Sequence, residues 1–182
     1  SVEILMDKNE FLPQEDIVIA GTVKTKSGEN VDGVTMTINF QNKDYLVDVK
    51  GGKIAIKIEV LASMNSGTHN MLFMVEDKNG NSKEIVKGIT ITAVASRLRL
   101  ELDKKDIDPL ESVAIVPFVH DQSDSPIADT VVIEIIDSKR RKVASEDIPT
   151  NIAFNYVAEP SSVPGEYTVK VSKDRLKKEE NF

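Results

Sequence analysis

Residues 6–17 read MDKNEFLPQEDI, and residues 102–113 read LDKKDIDPLESV. The two stretches share their apolar positions, an Asp-Lys pair, a proline and a glutamate, all at a constant offset of 96 residues, which is 102 minus 6. The matched pairs are Met6 and Leu102, Asp7 and Asp103, Lys8 and Lys104, Phe11 and Ile107, Pro13 and Pro109, Glu15 and Glu111, and Ile17 and Val113. Self-similarity at a fixed spacing predicts that one structural unit occurs twice.

The spacing of this repeat predicts two domains, residues 1–95 and 96–182, arranged end to end. A chain of 182 residues could form one large domain or two small ones, and about 90 residues are enough to bury a core. The predicted junction is Ala95-Ser96. Because it is short and contains neither Gly nor Pro, we expect limited bending there rather than a free linker.

Apolar and polar residues alternate through the first repeat, which predicts short strands. The alternating segments are 2–6, 17–23, 34–40, 45–49, 54–58, 69–75 and 85–93. Asn42-Lys43, Gly51-Gly52 and Asn79-Gly80 predict tight turns, and Gly88 predicts a bulge inside the last strand. Seven short strands in about 95 residues, with no helical periodicity, predict an immunoglobulin-like antiparallel β-sandwich. The fold class is therefore all-β, with two tandem sandwiches.

The second repeat follows the same order but has fewer alternating segments. Its alternating segments are 98–102, 113–119, 131–135, 152–156 and 169–171. Pro117 stands where the first repeat has Gly21, and a proline within a strand predicts a sheet edge or a bulge. Residues 173–182 are nearly all charged and show no alternation. We therefore expect the second sandwich to lack its last strand.

Three explanations for the charged tail stay open at the level of sequence. The segment could have been cut short within a longer array of repeats. The tail could instead be a helix or a disordered end. As a third alternative, a neighbouring chain could supply the missing strand to the open sheet edge, as in β-augmentation.

Composition excludes several classes of function. The net charge is −7, and an acidic surface repels polyphosphate, so nucleic acid is not an expected partner. The chain has no cysteine, which excludes disulfides, thiolate zinc sites and cysteine nucleophiles. No apolar run approaches the roughly 18 residues that cross a bilayer. Ser1-Val2-Glu3 begins directly on a strand pattern, so we expect either a cytoplasmic chain or a piece of a longer polypeptide.

Several short motifs carry a family resemblance. They are Pro13-x-Glu15-x-Ile17-x-Ile19-x-Gly21, Val31-Asp-Gly33-Val34, Ser66-Gly67 and Pro164-Gly165-Glu166-Tyr167-Thr-Val169. This pattern resembles the Ig-like repeats of bacterial and archaeal surface proteins, and it is similar to macroglobulin-type and fibronectin-III-like sandwich modules. The resemblance implies a spacer within an adhesin, an envelope-layer protein or a large secreted polypeptide, and hence an extracellular or cell-surface location.

Four loop carboxylates are candidate metal ligands: Glu15, Asp16, Asp121 and Asp124. In an end-to-end pair of sandwiches their loops would face each other at the junction. Calcium takes six to eight oxygen ligands, so these groups predict a possible calcium site, although solvated loop carboxylates are the simpler interpretation. Residues 77–81 resemble the start of a calcium loop but lack its later bidentate glutamate, because Gly88 stands at that position.

A run of four basic residues, Lys139, Arg140, Arg141 and Lys142, lies on a predicted hairpin tip. It is a candidate contact for a sulfated glycan or an acidic lipid. A solvated turn is the simpler interpretation of such a run.

The sequence predicts no enzymatic activity. His120 and Asp121 are adjacent, but neighbouring strand residues face opposite sides and no second catalytic group is apparent. The chain has no Trp, and its three tyrosines fall in strand patterns, so a sugar-stacking platform is not expected. No cofactor is predicted apart from the possible calcium.

The leading functional hypothesis is therefore a non-enzymatic structural or adhesive segment of a larger prokaryotic surface or secreted protein. Its expected partners are other domains of the same polypeptide and other surface proteins. Two alternatives stay open: a protein-binding module that accepts a partner strand at an open sheet edge, and a calcium-stiffened connector between domains.

Overall fold

The computed structural model describes residues 1–77 and 79–182, and the described residues fold entirely as strands, turns and loops. They divide into two compact units, Ser1–Val94 (unit 1) and Ala95–Phe182 (unit 2). Each unit has its own cluster of buried apolar side chains. The predicted all-β class, built from antiparallel sandwich sheets, is confirmed.

Unit 1 contains eight strands in the described residues. They are β1 (Val2–Met6), β2 (Glu10–Phe11), β3 (Asp16–Val23), β4 (Val34–Phe40), β5 (Lys43–Val49), β6 (Lys53–Glu59), β7 (Gly67–Glu76) and β8 (Ser82–Ile91). One sheet has the order β1-β3-β6, and the other has the order β2-β8-β7-β4-β5. All pairings are antiparallel except that of β2 with β8, which is parallel.

The alternating pattern of the sequence determines which side chains fill the space between these two sheets. In β3 every second residue is buried, beginning with Ile17 and Ile19, and β4 does the same with Met36 and Ile38. Both sets belong to one buried cluster, with Phe73 from β7. Burying an aliphatic or aromatic side chain of this size contributes about 1.5–3 kcal/mol each. Alternation, rather than any single residue, therefore sets the face that each strand turns inward.

Two tight turns of unit 1 rely on backbone with positive φ. Gln41 and Asn42 both have positive φ, 57° and 56°, and join β4 to β5. The predicted turn at Asn42-Lys43 is thus one residue too late. Gly51 and Gly52 have φ of 57° and 72°, and the turn is closed by hydrogen bonds between Lys50 and Lys53. Because β5 and β6 lie in different sheets, this glycine turn carries the chain from one sheet to the other.

Gly21 and Gly88, which lie in the interior of strands of unit 1, have different surroundings. The register between β7 and β8 runs without a shift past Gly88, so the predicted bulge at Gly88 is wrong. A Cβ on Gly88 would meet only Asn70 Oδ1, at 3.9 Å. A Cβ on Gly21 would lie 2.6 Å from the carbonyl oxygen of Glu3 in β1. The backbones of β1 and β3 can therefore lie this close together at residue 21 only because glycine has no side chain.

Unit 2 also contains eight strands. They are β9 (Arg97–Leu102), β10 (Ser112–His120), β11 (Pro126–Ile127), β12 (Thr130–Ile136), β13 (Lys142–Pro149), β14 (Phe154–Val157), β15 (Thr168–Lys173) and β16 (Leu176–Asn181). In one sheet β10 pairs with β9, β11 and β14; the other sheet has the order β13-β12-β15-β16. Buried residues from both sheets, such as Ile115 and Ile133, share one core.

The prediction that unit 2 lacks its last strand is wrong. Residues 176–181 form β16, which pairs antiparallel with β15 over the whole of both strands. Backbone hydrogen bonds do not depend on side-chain polarity, and every second residue of β16 is half-buried, beginning with Leu176. The charges are paired along the sheet, with Lys170 Nζ 2.8 Å from Glu179 and Lys178 Nζ 3.0 Å from Glu180. The edge of β15 that was expected to accept a partner strand is therefore covered by the chain's own β16.

Pro117 lies in the middle of β10, paired with Leu100 of β9 and with no register shift. The predicted bulge is wrong, whereas the predicted edge is present locally, on the side of β10 that faces away from β9. On the opposite side of β10, β14 pairs only with residues 112–115 and β11 only with residues 119–120. In that gap the Pro117 carbonyl accepts a hydrogen bond from Asn151 N at 2.8 Å. The proline is tolerated because no neighbouring strand needs an N–H from it.

Candidate functional site

The residues that recur at the offset of 96 form the same brace in both units. In unit 1 the Glu15 carboxylate accepts hydrogen bonds from Leu12 N and Lys8 Nζ, both at 2.7 Å. In unit 2 the Glu111 carboxylate accepts from Asp108 N at 3.2 Å and from Lys104 Nζ at 3.4 Å. The Lys8 ammonium lowers the pKa of Glu15, and the hydrogen bond from Asp108 N lowers that of Glu111. The repeated motif thus stabilises the loop that precedes β3 in unit 1 and β10 in unit 2.

The aspartates of the repeated motif extend this brace. Asp7 Oδ1 accepts a hydrogen bond from Val18 N at 3.3 Å, and Asp103 Oδ1 accepts one from Ala114 N at 2.8 Å. Each carboxylate therefore bonds the strand that follows the connection. No reactive group is involved at either place.

The four predicted calcium ligands each have a protein partner within their own unit. Glu15 is part of the brace, and Asp16 Oδ2 lies 3.8 Å from Lys57 Nζ. Asp121 accepts hydrogen bonds from Ser123 N and Ser125 N, and Asp124 Oδ1 lies 2.6 Å from Arg97 Nη2. Within either unit, the described residues contain no group of three acidic or imidazole side chains arranged around one point. The calcium site stays a prediction.

One five-residue turn recurs at four places, and this use of side chains was not foreseen from the sequence. In each turn the backbone N–H of the first residue donates to the carbonyl oxygen of the fifth, and the carbonyl oxygen of the first accepts from the N–H of the fourth. The side-chain oxygen of the first residue accepts a further hydrogen bond from the backbone N–H of the fifth. The fourth residue has positive φ. The turns are Thr25–Glu29, Asp77–Asn81, Asp121–Ser125 and Asp137–Arg141. Lys78, in the predicted hairpin and calcium-like segment 77–81, lies outside the described residues.

Two of these turn residues are almost fully enclosed: Asp121 is 0% exposed and Asp137 is 3% exposed. The Asp137 carboxylate accepts hydrogen bonds from Lys139 N, Arg141 N and Arg141 Nε, at 2.9, 2.8 and 2.7 Å. The Arg141 backbone hydrogen bond, helped by the Arg141 side chain, holds the pKa of Asp137 below its ordinary value. The ionised form of Asp137 therefore stabilises the folded hairpin between β12 and β13.

The substitution Asp137→Asn is expected to lower the melting temperature of unit 2 by roughly 5–10 °C at neutral pH, because the amide carries no charge and keeps only one of the two acceptor oxygens. A carboxyl whose pKa is lower in the folded state stabilises above its unfolded pKa and loses that contribution as pH falls through the folded pKa. The difference between wild type and variant should thus shrink as the pH falls from about 5 to about 2. Thermal unfolding across this pH range measures it, and a constant difference would contradict the role of ionised Asp137.

The basic run occupies the end of the same hairpin. Arg141 is paired with Asp137, and Lys142 Nζ lies 2.7 Å from Glu134 Oε1. Lys139 and Arg140 are exposed. Half of the predicted anion contact is thus engaged in holding the hairpin, and binding of a sulfated glycan or an acidic lipid stays a prediction.

The two histidines lie in strands. His69 Nε2 is 2.8 Å from the carbonyl oxygen of Asn65. His120 is 7% exposed, and its Nδ1 has no hydrogen-bond partner in the described part of the chain. The carboxylate of its neighbour Asp121 accepts hydrogen bonds from Ser123 N and Ser125 N within the following turn.

A cavity of about 970 Å³ opens in unit 2. Three of its lining residues, Tyr156, Tyr167 and Phe182, form an aromatic cluster with ring centroids 5.8–6.3 Å apart. Burial raises the pKa of Tyr156, and Tyr167 donates a hydrogen bond from its hydroxyl to the Val163 carbonyl oxygen at 3.0 Å. This cluster was not predicted from the sequence because residues 173–182 were expected to form a tail, although the apolar side chain of Phe182 at its end is typical of a packed residue.

Comparison with solved structures gives bacterial proteins of low sequence identity. The adhesin InvE of Yersinia pseudotuberculosis aligns over 99% of this chain and 57% of its own, with 11% identity and a TM-score of 0.47. Trypsin-activated alpha-2-macroglobulin from Escherichia coli aligns over 99% of this chain and 15% of its own, with 7% identity and a TM-score of 0.39. A Salmonella alpha-2-macroglobulin mutant aligns over 100% and 14%, with 9% identity and a TM-score of 0.37.

These neighbours fall into the groups of protein that the sequence resemblance named. The chain spans less than two thirds of the adhesin and a small part of each macroglobulin. No protein-family model matches the sequence, and no curated protein matches it either. Among the described residues, none belongs to a helix of the length and apolarity needed to cross a membrane.

Proposed function

We propose that this chain is a non-enzymatic structural or adhesive segment of a larger prokaryotic surface or secreted protein, and that it transmits tension along its backbone. The observation that carries the proposal is the parallel pairing of β2 with β8 in unit 1. β2 lies near the start of the unit and β8 ends it. Tension that pulls the two ends of unit 1 apart therefore slides these strands past each other.

This geometry loads the hydrogen bonds between the two strands together rather than one after another. Thr90 N donates to the Asn9 carbonyl oxygen at 2.8 Å, and Thr92 N donates to the Phe11 carbonyl oxygen at 2.9 Å. We call this pair of hydrogen bonds the β2–β8 clamp. The Thr92 hydroxyl adds a bond to Glu10 Oε1 at 3.0 Å. Behind the clamp, Phe11 and Ile91 are each only 1% exposed, so sliding also requires water to enter the core.

The chemistry of the other conspicuous groups agrees with a mechanical role. The repeated Asp, Lys and Glu residues brace a connection, and the aspartates of the turns accept backbone hydrogen bonds. Duplication has thus kept residues that hold the sandwich together. The resemblance of the motifs to surface-protein repeats supports the extracellular or cell-surface location that we propose.

Single-molecule stretching of the chain between two handles tests the proposal. We expect two unfolding events, each lengthening the chain by about 30 nm, since roughly 90 residues extend by about 3.3–3.6 Å each. Thr92→Pro removes the N–H that donates to Phe11 and should lower the peak force of unit 1 beyond the spread of the wild type. Thr92→Val keeps the N–H and loses only the hydroxyl, so it serves as the matched control.

Two results would contradict the tension role. One is gradual lengthening at low force without distinct events. The other is equal peak forces for Thr92→Pro and the wild type, which would show that the clamp does not resist sliding.

A further inference from the structure

The cavity of unit 2 is lined by more negative than positive side chains. Its lining contains four carboxylates and one ammonium, a net charge of −3, from Asp106, Asp108, Glu111, Glu166 and Lys105. Glu111 belongs to the brace, and Glu166 accepts a hydrogen bond from Asn181 Nδ2. The exposed carboxylates of Asp106 and Asp108 have no hydrogen-bond donor or cation beside them in the described part of unit 2. These two groups are therefore available to a ligand.

The repeated fold does not require the two free carboxylates. At the offset of 96 residues, Asp106 corresponds to Glu10 and Asp108 corresponds to Leu12. In unit 1 the Glu10 carboxylate accepts a hydrogen bond from the Thr92 hydroxyl, and Leu12 carries no charge. Both units nevertheless keep the same brace. The free charges at this place are thus a property of unit 2 alone.

The aromatic cluster forms another wall of the cavity. Its three rings are tilted by 37–65° to one another, so they do not stack in parallel. The Tyr167 hydroxyl donates to the Val163 carbonyl oxygen, and the Tyr156 hydroxyl is hydrogen-bonded to Ser162. Because both hydroxyls are engaged, the tyrosines offer their rings to a ligand. The negative face of an aromatic ring attracts cations.

The electrostatics of the cavity disfavour an anion and favour a ligand with positive charge. Burial raises the pKa of Tyr156, and the carboxylates of Glu159 and Asp137 add to the rise because they oppose a second negative charge. Carboxylates only accept hydrogen bonds, so the ligand has to bring the donors. No three described acidic side chains of unit 2 surround one point, whereas a guanidinium has five N–H groups that reach separated acceptors.

We propose that the unit-2 cavity binds an organic cation, a guanidinium or alkylammonium group with an apolar stem. The charged group lies against Asp106 and Asp108, and the stem packs on the aromatic cluster. A volume of about 970 Å³ is within the range of ligand sites and leaves room for groups that flank the cation. An arginine side chain on a partner protein and a free amine present this same chemistry.

Titration of the whole chain with N-acetyl-arginine amide, followed by NMR in about 0.15 M salt, tests the site. We expect a Kd of about 1 mM or tighter for a ligand of this size. N-acetyl-citrulline amide has nearly the same shape without the charge and should bind at least about tenfold more weakly. The shifted resonances should include those of Asp106, Asp108 and the aromatic cluster.

Two double variants locate the binding charge. Asp106→Asn with Asp108→Asn should weaken binding of the arginine probe at least about tenfold, because a charge-assisted contact is lost. Glu146→Gln with Asp147→Asn removes the same charge from exposed residues of β13 that do not line the cavity, and it should leave the Kd within about twofold. Melting curves that match the wild type show that both proteins are folded.

Equal affinities for the arginine and citrulline probes would overturn the proposal. So would unchanged binding by the Asp106→Asn, Asp108→Asn variant. Two further probes identify the source of the cation, and either order of affinity supports the site. Tighter binding of the blocked peptide Gly-Gly-Arg-Gly-Gly indicates a protein segment, and tighter binding of agmatine, a free guanidinium amine, indicates a small molecule. Because the β2–β8 clamp takes no part, these outcomes are independent of the tension experiment.

Discussion

The substitution Phe11→Ala is expected to lower the free energy of unfolding of unit 1 by about 3–5 kcal/mol. Phe11 is 1% exposed and belongs to the largest buried side chains of the unit. Truncation removes a ring from between two sheets that are held apart by their other side chains, so a cavity remains. The ring also lies 5.0 Å from Lys8 Nζ, an ammonium of the repeated brace. Core packing and brace would weaken together.

The matched control is Ile107→Ala at the same place in unit 2. Ile107 is half-buried and already borders a cavity, so its loss should cost unit 2 only about 1 kcal/mol. Urea unfolding, followed by hydrogen exchange of peptides from each unit, measures the two losses separately. Similar losses for the two variants would contradict the difference in packing that separates the units.

The second large effect is expected at Gly21. Gly21→Ala should destabilise unit 1 by about 2–3 kcal/mol, because the new methyl group would lie 2.6 Å from the Glu3 carbonyl oxygen and 3.1 Å from Ile4 and Ile54 side-chain atoms. The first of these neighbours is backbone in a paired strand. It cannot move aside without weakening the hydrogen bonds between β1 and β3.

Gly88→Ala provides the control, since Gly88 also lies within a strand. Its added Cβ meets nothing closer than 3.9 Å, and removing a glycine reduces the freedom of the unfolded chain. We therefore expect a change within about 1 kcal/mol, in the stabilising direction. Chemical denaturation of the two variants compares them directly. A Gly21→Ala protein as stable as Gly88→Ala would show that β1 yields to the methyl group.

The sequence predicted most strands because alternation over five or more residues determines which face is buried. β1, β4 and β6 occupy the expected segments. β2 was missed because two residues are too few to alternate, and its pairing depends on β8, some 80 residues away in sequence. β16 was missed because the hydrogen bonds that form it come from the backbone and from an existing neighbour, while its side chains are charged.

The functional groups were harder to foresee than the strands. Glu15 and Asp121 were considered as metal ligands because a sequence shows which residues carry carboxylate oxygens. It does not show which hydrogen-bond donors those oxygens contact in the folded protein. In the structure both accept backbone N–H groups a few residues away. The aromatic cluster brings Tyr156 and Tyr167 together with Phe182, and it depends on the position of β16. The position of Phe182 could not be inferred because β16, which places it, was not predicted.

The charges of β16 affect how its exposed edge can pair with another strand. Every unpaired backbone group on the outer side of this strand invites a neighbouring molecule to add a strand of its own. A molecule that approached there would have to strip water from Lys177, Lys178, Glu179 and Glu180, at a cost of several kcal/mol for each ion left unpaired. We therefore expect the charged residues of β16 to disfavour edge-to-edge pairing of two copies through this strand.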